Sequence, residues 1–202
     1  MSKKNLRFKR LLNEYRTITS EIILVREIIL ETGDYFNECT ADYCTRNDID
    51  LEGLKKNKEE RIKKLIEASN QPLKNVEEKI KEQEYDSKSL FRQIAKKFHP
   101  DTLPEDDPDK EEKEDIFKTA MRAIDDCNWG VLFDIAAKHD LELQDYDSVL
   151  ESLKLDVTRA KEALKKHKST WSWLLFNCED DEQCKDDVVL GFLKQVYSYY
   201  RT

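Results

Sequence analysis

Turn-forming residues are scarce in this chain: its 202 residues include 4 glycines and 4 prolines. So few turn signals argue against a turn-rich fold and make long helices the default expectation. Nowhere do 18 apolar residues follow one another, so no membrane-spanning helix is expected. The opening "MSKKNLRFKRLLNEYR" is basic, but it has neither the uninterrupted apolar run nor the small-residue cleavage site of a secretory signal. A cytoplasmic protein is therefore expected. An excess of positive charge is also missing. With a net charge of −8 and a pI of about 5.1, the chain lacks the basic stripe of a general nucleic-acid binder. The five cysteines, Cys39, Cys44, Cys127, Cys178 and Cys184, are odd in number and form no C-x-x-C framework. They read as reduced thiols, and the Cys39/Cys44 and Cys178/Cys184 spacings are looser than those of structural zinc sites, so no metal is expected.

What the chain has in quantity is charge, 39% of residues against 39% hydrophobic, which implies a thin core and solvated helix faces. An all-α fold follows. Phe8, Leu11, Tyr15, Ile18, Ile22, Val25 and Ile29 alternate steps of three and four, a heptad seam that predicts a helix closing near Gly33. The stretch from Asp34 to about Asp50 has no sustained period and reads as a connecting loop. A second helix is expected from Leu51, carrying Leu54, Ile62, Leu65 and Ile66 and then Leu73, Val76 and Ile80, with a kink or break before Pro72. These first two helices can fold back as a hairpin or pair with a second chain as a homodimer, since a seam is satisfied by either. A further seam, Leu150, Leu153, Val157, Ala160, Leu164, His167 and Trp171, predicts another coiled-coil-like arm running into "STWSWLLF". A terminal amphipathic helix with Val188, Val189, Phe192, Val196, Tyr197 and Tyr200 follows, and the aromatic residues at this end read as a small satellite core. The expected division is 1–84 as helical hairpin or coiled coil, 85–143 as a central helical module, and 144–202 as a C-terminal helical region.

The central module carries the chemistry. Ser87 or Ser89 can cap a helix whose inward face is Leu90, Phe91, Ile94, Ala95 and Phe98, with Arg92, Lys96 and Lys97 directed outward. Pro100 forces His99 out of the helical region and ends that helix. After the acidic run "TLPEDDPDKEEKED", a helix restarts near Glu111 with Ile116, Phe117, Ala120, Met121, Ala123 and Ile124. The chain breaks again around Asn128 to Gly130 before a short helix bearing Leu132, Phe133, Ile135 and Ala136.

"LFRQIAKKFHPD" followed by "IFKTAMRAI" resembles the J-domain of DnaJ-type co-chaperones. The second helix of that family reads aromatic-Arg-x-Leu-Ala-x-x-Tyr before His-Pro-Asp, and its third carries Phe-Lys-x-Ile-x-x-Ala-Tyr. Phe91, Arg92, Ile94, Ala95 and Phe98 fall on the first pattern, and Phe117, Lys118, Ala120, Ala123 and Ile124 on the second. The resemblance covers about residues 85 to 141. It implies a divergent J-domain helical hairpin flanked by the coiled-coil arms, and a binding function with no catalytic residue and no cofactor: docking on a DnaK-type chaperone and stimulation of that partner's ATP hydrolysis. By position it implies that Asp101 offers its carboxylate to a partner arginine and that His99 and Pro100 shape the loop and fill the docking groove. Arg92, Lys96 and Lys97 would meet an acidic surface.

The chain departs from the family pattern in several places. No Tyr-x-x-Leu-Gly-type first helix precedes the basic helix, so Val76, Ile80 and Tyr85 would have to take its place. The acidic loop can compete for the three cations at low salt. No Gly/Phe-rich linker and no repeated C-x-x-C-x-G-x-G module is present, which fits the class that shares only the J-domain and leaves the client protein unspecified. Two rivals stand beside this reading. An acid–base pair of His99 and Asp101 would need a concave pocket and a third group that nothing nearby supplies, His139 and His167 lying in other helices. A helical scaffold or adaptor with a degenerate J-like module would rest on the coiled-coil arms alone.

Overall fold

The computed structural model describes residues 3–68 and 87–200. Among these residues there are eight α-helices and no strand, so the all-α expectation holds. The helices are α1 (Lys3–Arg46), α2 (Leu51–Ala68), α3 (Lys88–Phe98), α4 (Lys110–Asp125), α5 (Trp129–Lys138), α6 (Tyr146–His167), α7 (Trp171–Phe176) and α8 (Glu182–Tyr197). A single 3-10 turn, Pro100–Thr102, separates α3 from the acidic loop. No described helix is long and apolar enough to cross a membrane. The expected kink at Pro72 and the substitute positions Val76, Ile80 and Tyr85 lie outside the described residues.

The first helix corrects the sequence reading. It does not close at Gly33 and contains no 34–50 loop, but continues unbroken to Arg46. Phe36, Thr40, Tyr43 and Cys44 prolong the seam at helical spacing and are all buried, so packing outweighs the weak helix propensity of one glycine. The stop lies twelve or so residues further on. Asp48 takes the left-handed conformation (φ 54°), and the Ile49 N–H reaches back to the Cys44 carbonyl at 2.9 Å, which is the hydrogen bond of a Schellman closure. Aspartate tolerates this conformation better than most residues.

The chain divides into two compact units, Met1–Ser20 with Glu77–Glu162 and Glu21–Val76 with Ala163–Thr202. In the first unit Phe8 stands edge-on to Phe133 (6.3 Å) and Tyr146 (6.1 Å), so this part of the α1 seam is covered by α5 and α6 and not by α2. Leu12, Phe98, Leu132, Phe133, Val149 and Leu153 are essentially inaccessible, each contributing about 1.5–3 kcal/mol by its burial. Ser87 occupies the N-cap position of α3 but makes no side-chain capping bond, contrary to the expected cap.

In the second unit Phe36 packs edge-on against Phe192 at 5.0 Å, and Phe192 in turn meets Trp171 and Tyr197. Leu51 and Leu54 of α2 pack on a cluster of Tyr43, Cys44, Val189 and Leu193, whereas Ile62, Leu65 and Ile66 are exposed. Cys178 and Cys184 are joined in a disulfide, which corrects the reading of all five cysteines as free thiols. The α7–α8 turn brings their Cα atoms to 5.5 Å, a proximity that spacing in sequence does not reveal. Cys39, Cys44 and Cys127 remain free, and among the described residues no group of three or more metal-binding side chains is placed to hold an ion.

A polar knot fixes the first unit. The buried Asp156 carboxylate of α6 accepts the Gly130 N–H at 2.7 Å and the Arg159 guanidinium at 3.2 Å, thereby capping the start of α5 from outside that helix. Gly130 is required here for space, because a Cβ would approach the Tyr15 ring to 2.5 Å. The Tyr15 hydroxyl donates to Asn128 Oδ1 at 2.8 Å, and burial, outweighing this hydrogen bond, raises its pKa. Burial likewise holds the Asp156 pKa above the ordinary carboxylate value, despite the opposing Gly130 N–H and Arg159.

Asp156→Ala is expected to cost about 2 kcal/mol in urea unfolding, because it strands buried N–H groups, with Asp156→Asn costing less. Since the folded pKa of Asp156 is raised, its ionisation opposes folding increasingly as pH rises from the ordinary carboxylate value through the folded one. The stability of Asp156→Asn relative to the parent should therefore improve as pH rises through that window. A difference independent of pH would contradict the assignment. Gly130→Ala should destabilise by about 1–3 kcal/mol despite alanine's better helix propensity, and by less in a Tyr15→Leu background. Equal losses in the two backgrounds would show that the Tyr15 ring is not the obstacle.

Candidate partner-binding site

Helix α3 ends at Phe98, where the sequence places its stop. His99 is extended (φ −67°, ψ 132°), and Pro100 starts the 3-10 turn, where its missing N–H costs nothing. The corner is closed by local hydrogen bonds. The Thr102 N–H and hydroxyl both donate to the His99 carbonyl, at 2.9 and 2.8 Å, and the Leu103 N–H donates to the Pro100 carbonyl at 3.2 Å. His99 Nδ1 accepts the Asp101 N–H at 3.2 Å, which places the ring's own N–H on Nε2. The imidazole also stands edge-on to Phe117 of α4, with ring centroids 4.8 Å apart. His99 is thus part of the scaffold of the turn, while the Asp101 side chain is 88% exposed and lies 3.8 Å from His99 Nδ1.

Behind the corner, Leu90, Ile94 and Phe98 are buried together with Ala120 and Ala123 of α4, and Phe91, Ala95, Phe117 and Ile124 are half-buried. Phe91 and Phe117 stack with centroids 6.1 Å apart. α3 and α4 are therefore packed neighbours, with the His-Pro-Asp corner following directly from α3.

The three outward cations do not form one set. Arg92 and Lys96 are four residues apart and share a helix face with the exposed Lys88. Among the described residues neither Arg92 nor Lys96 has an ion-pair partner. Lys97 instead shares a face with Gln93, and both are tied to the segment after α5. The Lys97 ammonium donates to the His139 carbonyl at 2.9 Å, while the Gln93 side-chain amide both donates to and accepts from the Glu142 backbone, each at 2.9 Å. His139 itself packs edge-on against Phe98 at 4.8 Å. Sequence reasoning grouped Lys97 with the surface cations and passed over Gln93; the spacing of Gln93 and Lys97 was visible, but their backbone acceptors, more than forty residues away, were not.

The acidic loop is organised by its own helix. Asp107 accepts the Lys113 ammonium at 2.7 and 2.8 Å and the Asp109 N–H at 2.9 Å, and these bonds hold its pKa below the usual carboxylate value. Among the described residues no ion pair joins this loop to Arg92, Lys96 or Lys97.

Gln93→Ala is expected to cost about 1–2 kcal/mol of stability, since it removes both bonds to Glu142, whereas Arg92→Ala and Lys96→Ala should change stability by less than about 0.5 kcal/mol. Denaturant midpoints of the three variants check this separation, and equal losses would contradict it. Comparison of the sequence with family models finds no match, and comparisons with curated proteins and with solved structures find no significant match.

Proposed function

We propose that this chain is a J-domain-type co-chaperone, which docks through its His-Pro-Asp corner and the Arg92/Lys96 face of α3 on a DnaK-type chaperone and stimulates that partner's ATP hydrolysis. The observation that carries this reading is the exposure of the Asp101 carboxylate on a turn held by proline and four local hydrogen bonds, next to a helix face with two exposed cations that have no ion-pair partner among the described residues. A fixed corner loses little conformational entropy on binding, and a solvated carboxylate is ready for a bidentate contact with a partner arginine. The cations suit long-range steering toward an acidic surface. The same exposure speaks against acid–base chemistry by His99 and Asp101, because a carboxylate standing in water lacks the water-excluding surroundings that catalysis requires.

In this reading His99 and Pro100 set the geometry of the corner, Asp101 makes the decisive contact, and Arg92 and Lys96 bring the partners together. Lys97 contributes mainly by holding α3 in place. The scaffold reading keeps one observation, the exposure of Ile62, Leu65 and Ile66 on α2, whereas Phe8, Tyr15, Val25 and Phe36 of α1 are buried within the chain.

With a purified DnaK-type chaperone, Asp101→Asn should abolish ATPase stimulation while leaving the urea midpoint unchanged, and His99→Gln should reduce it strongly. Stimulation that survives Asp101→Asn, or none by the parent protein, would overturn the proposal. Reversing Arg92 and Lys96 to Glu should slow association about tenfold at low salt, with the difference shrinking as salt is added. A rate unaffected by the reversal would remove steering from the account.

A further inference from the structure

On the other side of α4 from its packing with α3 lies a groove of about 650 Å³ formed with α5. Ile116, Val131 and Ile135 are among the apolar side chains lining it, and carboxylates outnumber the basic Lys138 and His139 on its rim. Most of those rim carboxylates are already engaged: Asp109 faces Lys113, Asp115 faces Lys118, and Asp134 holds Arg16 and Lys138. Glu111 and Glu112, both exposed on the first turn of α4, have no ion-pair partner among the described residues. The groove thus offers an apolar floor beside two exposed carboxylates that form no contact ion pair among the described residues, Glu112 lying within electrostatic reach of Lys113.

The first turns of α1 present the complement. Lys3, Leu6, Arg7 and Arg10 fall at positions i, i+3, i+4 and i+7 and share one exposed face. Leu6 is 55% exposed, and among the described residues none of these three cations has an ion-pair partner. A solvent-facing leucine flanked by three cations matches in character a groove with an aliphatic floor and two exposed carboxylates.

We infer that the α4–α5 groove receives the basic start of α1 from a second copy of this chain, with Leu6 on the aliphatic floor and Arg7 and Arg10 against Glu111 and Glu112. The two surfaces differ from each other, so the contact is heterologous, head to tail, and leaves one surface free at each end of the assembly. A single groove and about two helical turns bury less than a stable interface requires, so the association is weak, reversible and suppressed by salt. It uses neither the His-Pro-Asp corner nor the Arg92/Lys96 face and does not depend on the chaperone reading. It also differs from pairing through the α1 seam, of which Phe8, Tyr15, Ile18 and Val25 are buried within the chain.

Sedimentation velocity of the full chain over a concentration series, with circular dichroism to verify the fold of each variant, tests the inference. The weight-average mass of the parent should rise with concentration at low salt, and added salt should suppress the rise. Arg7→Glu with Arg10→Glu should abolish it, as should Glu111→Lys with Glu112→Lys, because each double variant carries like charges on both surfaces. An equimolar mixture of the two should recover it, since each then meets its opposite. Leu6→Asp, which leaves both charge sets in place, should also abolish it. A parent that stays monomeric throughout, a rise that survives in any of the three variants alone, or a mixture that fails to recover it would overturn the inference.

Discussion

The Asp156 carboxylate accepts the Gly130 N–H beneath the Tyr15 ring, and through this contact α1, α5 and α6 constrain one another inside the first unit. The constraint extends to the surface. The His139 and Glu142 backbone groups beyond the end of α5 hold Lys97 and Gln93 of α3. α3 in turn terminates in the His-Pro-Asp corner. A buried, partly neutralised acid is an expensive residue, and its retention is understandable if it fixes the register of helices whose aliphatic contacts alone would tolerate sliding.

Rigidity and exposure are divided between the residues of the corner. His99 and Thr102 spend their polar groups on the turn, Pro100 supplies a fixed φ, and the Asp101 side chain is left in water. The same division runs along α3. The Gln93/Lys97 face is bound to backbone, and the Arg92/Lys96 face is open. In the acidic loop, Asp107 is clasped by Lys113. The exposure of the Asp101 carboxylate therefore follows from how the local hydrogen bonds are assigned.

Much of this was legible in the sequence because it is local. Pro100 ends α3 through steric exclusion at the preceding residue, and the periodicity of Leu90, Ile94 and Phe98 gives the buried face. Gly130 marks a break near the start of α5. What sequence did not show depends on distant partners. Gly33 looked like a helix terminus, but the burial of Phe36, Thr40 and Tyr43 carries α1 past it, and Asp48 closes the helix instead. Cys178 and Cys184 form a spaced pair in the sequence, but their union in a disulfide depends on the α7–α8 turn. Lys97 looked like its neighbour Lys96, and only the His139 carbonyl separates their roles. Asp156 reads as one more surface acid of a charged helix until the N–H groups it caps are seen.

The central claim is that an exposed carboxylate at a fixed corner, with the open cationic face beside it, is the surface a DnaK-type chaperone grips. Amide chemical-shift mapping of the full chain, titrated with that chaperone, tests it most directly. The account predicts perturbations concentrated at Arg92, Lys96 and residues 99–102, with residues 21–68 unaffected. Perturbations centred on residues 21–68 or on α8, or none at all at saturating partner, would contradict it.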